Sequence, residues 1–321
     1  MLSSQIEGTV TRFGELLQYE AEPDRGTHPA DALEVRNYAL TLDWGLATLG
    51  QGYPFSLTLI RELHRRLLTG VEGAAAKRPG GFRDRAVIIG GGSRNTPETA
   101  RFVPPCHTQL APLLDDFLRF LVADRSLPGV VQLALMHYQF ETIHPFNDGN
   151  GRVGRLLIPL MLCERGLLPE PLLYLSAYFE RDRQAYYDHL LEVSRRGAWV
   201  EWVGYFARGV VEQARDATER SGRLLDLRER LRAAVAAARR PVSTLQIIDL
   251  LFTAPVTSVQ YAATDTGVSV KVANAALVAL EEMGVVREVT GGQRYRLYQA
   301  DEIIRLLNDP LDPLAAAPPA G

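Results

Sequence analysis

The sequence predicts a mainly α-helical protein: a large helical domain interrupted by one small β-hairpin, followed by a winged helix-turn-helix domain. Three observations lead there. Through most of residues 1–235, apolar side chains recur every three to four positions, the period of a helix with one buried face. One stretch, 82–104, breaks that rhythm with weak alternation and a triple glycine. Beyond Pro241, three short helical patterns precede two short β-like runs that flank Gly291-Gly292.

The helical pattern is clearest in 33–49, where Leu33, Val35, Tyr38, Leu42, Leu46 and Leu49 share a face, and it returns in 57–68 and 110–122. In 82–104 the run Phe82-Arg83-Asp84-Arg85-Ala86-Val87-Ile88-Ile89 ends in Gly90-Gly91-Gly92, which reads as the first strand and turn of a hairpin. Residues 128–140 form another helix, which leads straight into His144. An apolar helix follows from Leu156, and further helices fit 182–195 and 198–235, the second Arg-rich toward its end. Arg239-Arg240-Pro241-Val242-Ser243 marks a boundary. Helices then fit 244–252, 256–264 and 269–283, with a turn at Thr266-Gly267. Strands fit Val285–Val289 and Arg294–Tyr298, and a last helix fits 300–307. Residues 310–321 are rich in alanine and proline and are expected to be disordered.

Bulk properties narrow the function classes. The chain has 321 residues, 46% hydrophobic and 23% charged, enough for one large core and a small one. A net charge of −3 gives no global reason to expect nucleic acid as a partner. Cys106 and Cys163 have neither metal-ligand spacing nor a disulfide framework, which suits a reducing compartment. No signal peptide and no apolar run of membrane-spanning length is evident. The expectation is a soluble, cytoplasmic protein with no membrane partner.

Residues 144–155, His-Pro-Phe-Asn-Asp-Gly-Asn-Gly-Arg-Val-Gly-Arg, concentrate the chemistry. Glycines bring bare backbone N–H groups close to a ligand, and a helix that starts there aims unpaired N–H groups at it. Arg152 and Arg155 sit in or near that first turn, where cations are disfavoured unless an anion joins them. A polyphosphate would supply the anion, but the stretch lacks P-loop spacing. Around a nucleoside triphosphate, His144 is suited to act as general base, and Asp148 is a hard oxygen ligand for magnesium. Gly149, Asn150 and Gly151 can aim backbone and side-chain N–H donors at charge developing on phosphorus, while Arg152 and Arg155 fork onto terminal phosphates. Phe146 reads as the loop's anchor in the core.

This stretch resembles the signature of the Fic family, H-P-F-x-[DE]-G-N-G-R-x-x-R, at every defined position. The resemblance covers roughly residues 1–235, including the hairpin and the Trp199/Trp202/Phe206 helix. It implies a Fic-type helical domain that transfers AMP from ATP to a hydroxyl side chain of a target protein, or of the chain itself, releasing pyrophosphate. It further implies His144 as base, Asp148 as the Mg2+ ligand, Gly149, Asn150 and Gly151 as the α-phosphate anion hole, and Arg152 and Arg155 on the β- and γ-phosphates. Val87, Ile88 and Ile89 would belong to a flap that docks the target segment by strand pairing. Tyr186 and Tyr187 are similar to aromatics lining the adenine pocket, and they read equally well as core residues. Relatives that alter the loop's glycine and arginine chemistry turn to phosphoryl transfer; this chain keeps both.

Ser3-Ser4-Gln5-Ile6-Glu7-Gly8 matches the family's inhibitory pattern, [ST]-x-x-x-E-[GN]. Ser3 and Glu7 would share a helix face, and Glu7 paired with Arg155 would compete with the γ-phosphate. A helix starting two residues before Ser3 is marginal by itself. The brake is then held by packing of Leu2 and Ile6, or is leaky, or the chain starts late. By the same resemblance Glu7 could instead position water and reverse the modification.

The expected organisation is an inhibitory N-terminal segment (1–30), a Fic catalytic domain (31–235), a winged-helix domain (236–309) and a tail (310–321). In the winged helix, 269–283 would be the reading helix through Ser269, Lys271 and Asn274. Residues 241–300 carry four Lys/Arg and five Asp/Glu, however, which is not a phosphate-binding balance. Protein docking, homodimerisation and DNA binding therefore stay open, as does a transcription regulator whose Fic domain only senses nucleotide.

Overall fold

A computed structural model describes residues 30–308 apart from 72, 91–95, 124–125 and 293–294. These residues form two compact units, 30–214 and 215–308, with the boundary falling inside one long helix.

The first unit contains helices α1 (Ala30–Gly50), α2 (Leu57–Leu67), α3 (Ala74–Lys77), α4 (Leu110–Ala123), α5 (Gly129–Ile143), α6 (Asn150–Glu164), α7 (Ser176–Arg181), α8 (Arg183–Arg196) and the first part of α9 (Trp199–Ala237). Local chemistry sets several starts. Ser56 accepts the Leu59 N–H at 3.1 Å to cap α2, and Asp182 accepts the Ala185 N–H at 2.9 Å to cap α8. Helix α6 occupies the centre, packed against α5, α1 and α2. Its Leu156, Leu157, Ile158, Leu160 and Met161 are all buried, as expected of a helix surrounded by protein. Gly154 lets α5 approach, since a Cβ there would meet Glu141 Oε1 at 2.5 Å and the Phe140 ring at 3.1 Å. The Trp202 indole N–H donates to the Ala134 carbonyl at 2.8 Å, pinning α9 to α5.

The predicted hairpin over 82–104 is reduced, among the described residues, to one antiparallel bridge between Ile89 and Phe102. The Arg83 main-chain N–H bonds Pro145 O at 2.9 Å, in the loop after α5, instead of a strand partner. The short helices α3 and α7 were not foreseen from the pattern.

The second unit holds the rest of α9, then α10 (Val242–Leu251), β1 (Val256–Ser258), α11 (Val259–Thr266), α12 (Val270–Glu282), β2 (Arg287–Glu288), β3 (Leu297–Gln299) and α13 (Asp301–Asn308). The sheet order is β1-β3-β2, antiparallel throughout, with Thr257 opposite Tyr298 and Glu288 opposite Tyr298 on the other side. This order of helices and strands is compatible with a winged helix. It carries one strand more than expected: Val256-Thr257-Ser258 is extended and pairs with β3, so the helix predicted at 256 starts at 259. Ser258 explains the switch, because its side chain caps α11 at the Tyr261 N–H, 3.1 Å away. No helix among the described residues is long and apolar enough to cross a membrane.

Candidate nucleotide site

The 144–155 loop is built from both ends. His144 closes α5 with φ of 50°, a left-handed conformation unusual for a side chain with a Cβ. Its N–H bonds Phe140 O at 3.0 Å, and Nδ1 lies 3.2 Å from Glu141 O. A carbonyl can only accept, so this contact assigns the ring proton to Nδ1 and leaves Nε2 with its lone pair. Burial pushes the His144 pKa down to about 4, with Arg83 adding to the effect, so the ring is neutral at pH 7.

The loop's interior is stapled by Asn150. Its side chain accepts the Phe146 N–H at 2.8 Å and donates to Phe146 O at 2.9 Å. The expected side-chain donor of Asn150 is thus committed to the loop, and what Asn150 turns to a ligand is its main-chain N–H at the start of α6. Gly149 makes the turn possible, at φ of 76°. Beneath it lies His64, fully buried and stacked on Phe146 at 3.8 Å. His64 Nδ1 accepts the Gly80 N–H at 2.9 Å, so Nε2–H donates to Asp148 O, also at 2.9 Å. Burial lowers its pKa to about 4, which keeps that tautomer neutral.

Asp148 turns its carboxylate outward. Burial raises its pKa, but Lys77 at 3.0 Å, Arg152 at 4.0 Å and the Gly149 N–H at 2.7 Å outweigh it, and the net shift is downward. A half-exposed carboxylate held ionised suits a hard cation. Among the described residues no three His, Cys, Asp or Glu side chains cluster as a complete metal site. A magnesium at Asp148 would therefore complete its shell from phosphate and water, as Mg2+ commonly does.

The two arginines separate. Arg155, 3% exposed, lines the cavity and hydrogen-bonds the Tyr186 hydroxyl. Arg152, also 3% exposed, pairs with Glu34 of α1 at 2.8 Å and does not line the cavity. Arg83 ties the loop to the segment that precedes it. Its guanidinium donates to His144 O (2.8 Å), Pro105 O (2.6 Å), Arg85 O (3.2 Å) and Ile143 O (3.3 Å), and its main-chain N–H to Pro145 O (2.9 Å).

These elements enclose a cavity of about 340 Å³ lined by His144, Asp148, Gly149, Asn150, Gly151, Arg155, Tyr186, Tyr187 and Ile89, within the size range of small-molecule sites. Val87 and Ile88 lie outside it. Tyr186 is 1% exposed and stacks on Phe179 at 4.5 Å, a core ring whose edge reaches the cavity. Tyr187 is half-buried, with the Arg101 guanidinium 5.3 Å above its ring. Arg101 also reaches Asp188 at 2.6 Å, fastening the Ile89–Phe102 bridge region to α8. A larger depression of about 900 Å³, around Trp44, Tyr53 and Pro79, contains none of the predicted site residues. Ser3 and Glu7 lie outside the described residues.

His64, Arg83 and Lys77 were missed by sequence reasoning. They come from 61 to 84 positions away in the chain, as the contacts of Arg83 and His64 with the loop show. A lone histidine at 64, inside an apolar helix pattern, gives no signal of what it will cap.

A sequence model described as the Fic/DOC family matches residues 54–162, and one described as Fic/DOC family N-terminal matches 1–47. Protein adenylyltransferase Fic of Drosophila melanogaster is 31% identical over 176 residues, 54% of this chain and 32% of that protein. The Drosophila yakuba protein of the same name is 33% identical over the same shares. The chain thus spans about a third of the length of the curated relatives it matches. The crystal structure of a Fic family protein from Desulfovibrio desulfuricans superposes with a TM-score of 0.54 at 20% identity, covering 93% of this chain and 84% of that one. A Fic domain containing signaling protein from Bacteroides thetaiotaomicron gives 0.54 at 21%, over 67% and 82%. At such identities the likeness speaks for the fold.

Proposed function

This chain belongs to the Fic/DOC family, and we propose that it is a protein adenylyltransferase that moves AMP from ATP to a hydroxyl side chain of a target protein or of itself. The observation that carries the reading is one cavity holding a neutral histidine with a free Nε2, an ionised carboxylate, a helix N-terminus and a buried arginine. In the reaction His144 Nε2 takes the proton of the target hydroxyl while its oxygen forms a bond to the α-phosphorus. The bond from that phosphorus to the β-bridging oxygen breaks, and pyrophosphate leaves. N–H groups at Asn150 and Gly151, joined by that of Gly149 once it leaves Asp148 Oδ1, face the charge that develops on the α-phosphoryl oxygens. Arg155 holds the terminal phosphates; Arg152, locked to Glu34, contributes positive potential from behind the loop. Magnesium bound at Asp148 would neutralise phosphate charge and fix the leaving group. A bound polyphosphate would also raise the His144 pKa from about 4 toward neutrality and so make it a better base.

Tyr187 and Leu190 supply the apolar wall for adenine, with Tyr186 at its edge. Val87, Ile88 and Ile89 pair with the target segment, and the extended Ile89–Phe102 bridge at the cavity supports that. Glu7 acts as the brake by competing for Arg155, supported by its motif and the N-terminal family match over 1–47. The second unit is read as a protein-docking or dimerisation module. Asn274, the foreseen base reader, is held by Arg296 at 2.7 Å, while Val270 and Val272 of α12 are exposed.

Incubation with ATP labelled at the α-phosphate tests this. Label is expected on protein with wild type, more with Glu7→Gly, and about 10²- to 10⁴-fold less with His144→Ala, the span of general-base contributions. Label from the γ-phosphate alone would refute AMP transfer, and no label in any variant would favour nucleotide sensing. Equal labelling of wild type and Glu7→Gly would remove the brake. Glu7-dependent loss of label from pre-modified protein would favour a de-adenylylase.

A further inference from the structure

Behind the cavity sits a polar pair that the reaction above does not use. His137 of α5 is 0% exposed and Tyr186 of α8 is 1% exposed, and His137 Nε2 lies 2.8 Å from the Tyr186 hydroxyl oxygen. The surroundings are aromatic: His137 lies 5.6 Å from Phe179, 6.2 Å from Trp202 and 6.3 Å from Phe206 between ring centroids. An imidazole in such a place forfeits hydration that a phenyl or isobutyl group would not need, so packing alone does not account for it. The hydroxyl has a second partner in the Arg155 guanidinium. Guanidinium only donates, so the Tyr186 oxygen accepts from Arg155; giving its own proton to His137 Nε2 places the imidazole proton on Nδ1, toward the Gly154 carbonyl. Burial and the nearby Arg155 charge hold the His137 pKa to about 3, so the ring stays neutral and available as an acceptor across the working pH range. The three side chains come from α5, α6 and α8, and only Arg155 and the edge of Tyr186 reach the cavity.

We propose that Tyr186 and His137 are positioning residues that present Arg155 to the terminal phosphates, so that the cavity prefers nucleoside triphosphate over monophosphate through groups that never touch the base. The inference rests on the reading of Arg155 as the terminal-phosphate residue. It gives the Tyr186 hydroxyl a phosphate-side task and leaves the adenine wall to Tyr187 and Leu190. The physical basis is orientation. A guanidinium fork binds phosphate well only when its plane is fixed, and a hydroxyl committed to a buried acceptor is a rigid peg for one of its N–H groups.

The test is calorimetric binding of a non-hydrolysable ATP analogue and of AMP, each with magnesium, to the full chain. Tyr186→Phe keeps the ring and removes the peg. It should weaken the analogue roughly tenfold, the size of a lost hydrogen bond to a charged group, and leave AMP within about twofold. His137→Leu should match it, and His137→Gln, which retains an acceptor, should recover part of the loss. Equal weakening of both nucleotides by Tyr186→Phe would overturn the proposal and return Tyr186 to the base side. Unchanged affinity for both would overturn it as well. Arg155→Ala separates the two layers. If it lowers analogue affinity while Tyr186→Phe does not, the relay fails and the phosphate reading stands. If Arg155→Ala changes nothing, the phosphate reading fails and the relay falls with it.

Discussion

The two compact units treat charge in opposite ways. The first buries it: Arg83, Arg152 and Arg155 are each 3% exposed, and His64 and His137 are wholly enclosed. The second keeps its charges at the surface, in pairs such as Arg228–Asp249, Arg287–Asp301 and Arg230–Glu302. Its buried polar residues are only Thr244 and Thr257 among those described. A buried charge costs desolvation that hydrophobic residues of equal size would avoid. Several buried around one loop mark that loop as a candidate functional site. The second unit instead builds its core from apolar residues of α9 to α13 and keeps its charges outside it.

The largest effect that would sharpen this contrast is acid lability confined to the first unit. His64, His137 and His144 are depressed to about 4, 3 and 4, mainly by burial, and residues 215–308 contain no histidine. Unfolded histidines titrate near 6.5, so between that pH and about 4 the unfolded chain takes up protons that the folded one refuses. The contribution is therefore complete above pH 6.5 and is lost as the pH falls. It amounts to about 3 kcal/mol for His64 and about 5 kcal/mol for His137. The three tryptophans, at 44, 199 and 202, all lie in the first unit. Denaturation followed by tryptophan fluorescence should lose stability steeply from pH 6.5 to 4.5, while a probe placed on α12 should not. Parallel acid dependence of the two probes would break the contrast.

Arg83→Met comes next. It strips donors from the carbonyls of Ile143, His144 and Pro105, and leaving several buried acceptors unsatisfied costs about 2–4 kcal/mol. Urea denaturation should show that loss, and labelling by ATP should fall with it because His144 loses its hold. Lys77→Met should do the reverse for metal. The ammonium now sits 3.0 Å from Asp148 Oδ2, and both side chains are partly exposed, at 26% and 41%. Removing a competing cation from such a pair should tighten Mn2+ binding in the presence of nucleotide about two- to fivefold, read by paramagnetic resonance. The smallest effect is expected in the second unit. Asp249→Asn, which loosens the surface pairs to Arg228 and Arg232, should leave the unfolding midpoint essentially where it was.

Much of this architecture could be read from residue order. The apolar spacing in 33–49, 57–68 and 110–122 foretold α1, α2 and α4 to within a few residues. Periodicity works there because each helix buries one continuous face. It failed at Val256–Ser258, where three residues are too few to show a period and the strand exists only through its pairing with β3. It overstated 82–104, because the Arg83 main chain bonds the 144–155 loop rather than a ladder. In the site, the loop's own residues were legible because their chemistry is contiguous. The parts that hold it, His64 beneath Asp148, Arg83 across His144 and His137 behind Tyr186, were not. Each is a single polar residue in an unremarkable neighbourhood, and only tertiary structure gives it a partner.

The central claim is that the buried charge of the first unit is arranged for a nucleoside triphosphate. A crystal structure of the protein with magnesium and a non-hydrolysable ATP analogue tests it most directly. The α-phosphate should lie over the N–H groups of Gly149, Asn150 and Gly151, its phosphorus facing His144 Nε2, with the terminal phosphates on Arg155. A nucleotide seated in the larger depression by Trp44 and Tyr53, or one whose phosphates point away from Arg155, would contradict it.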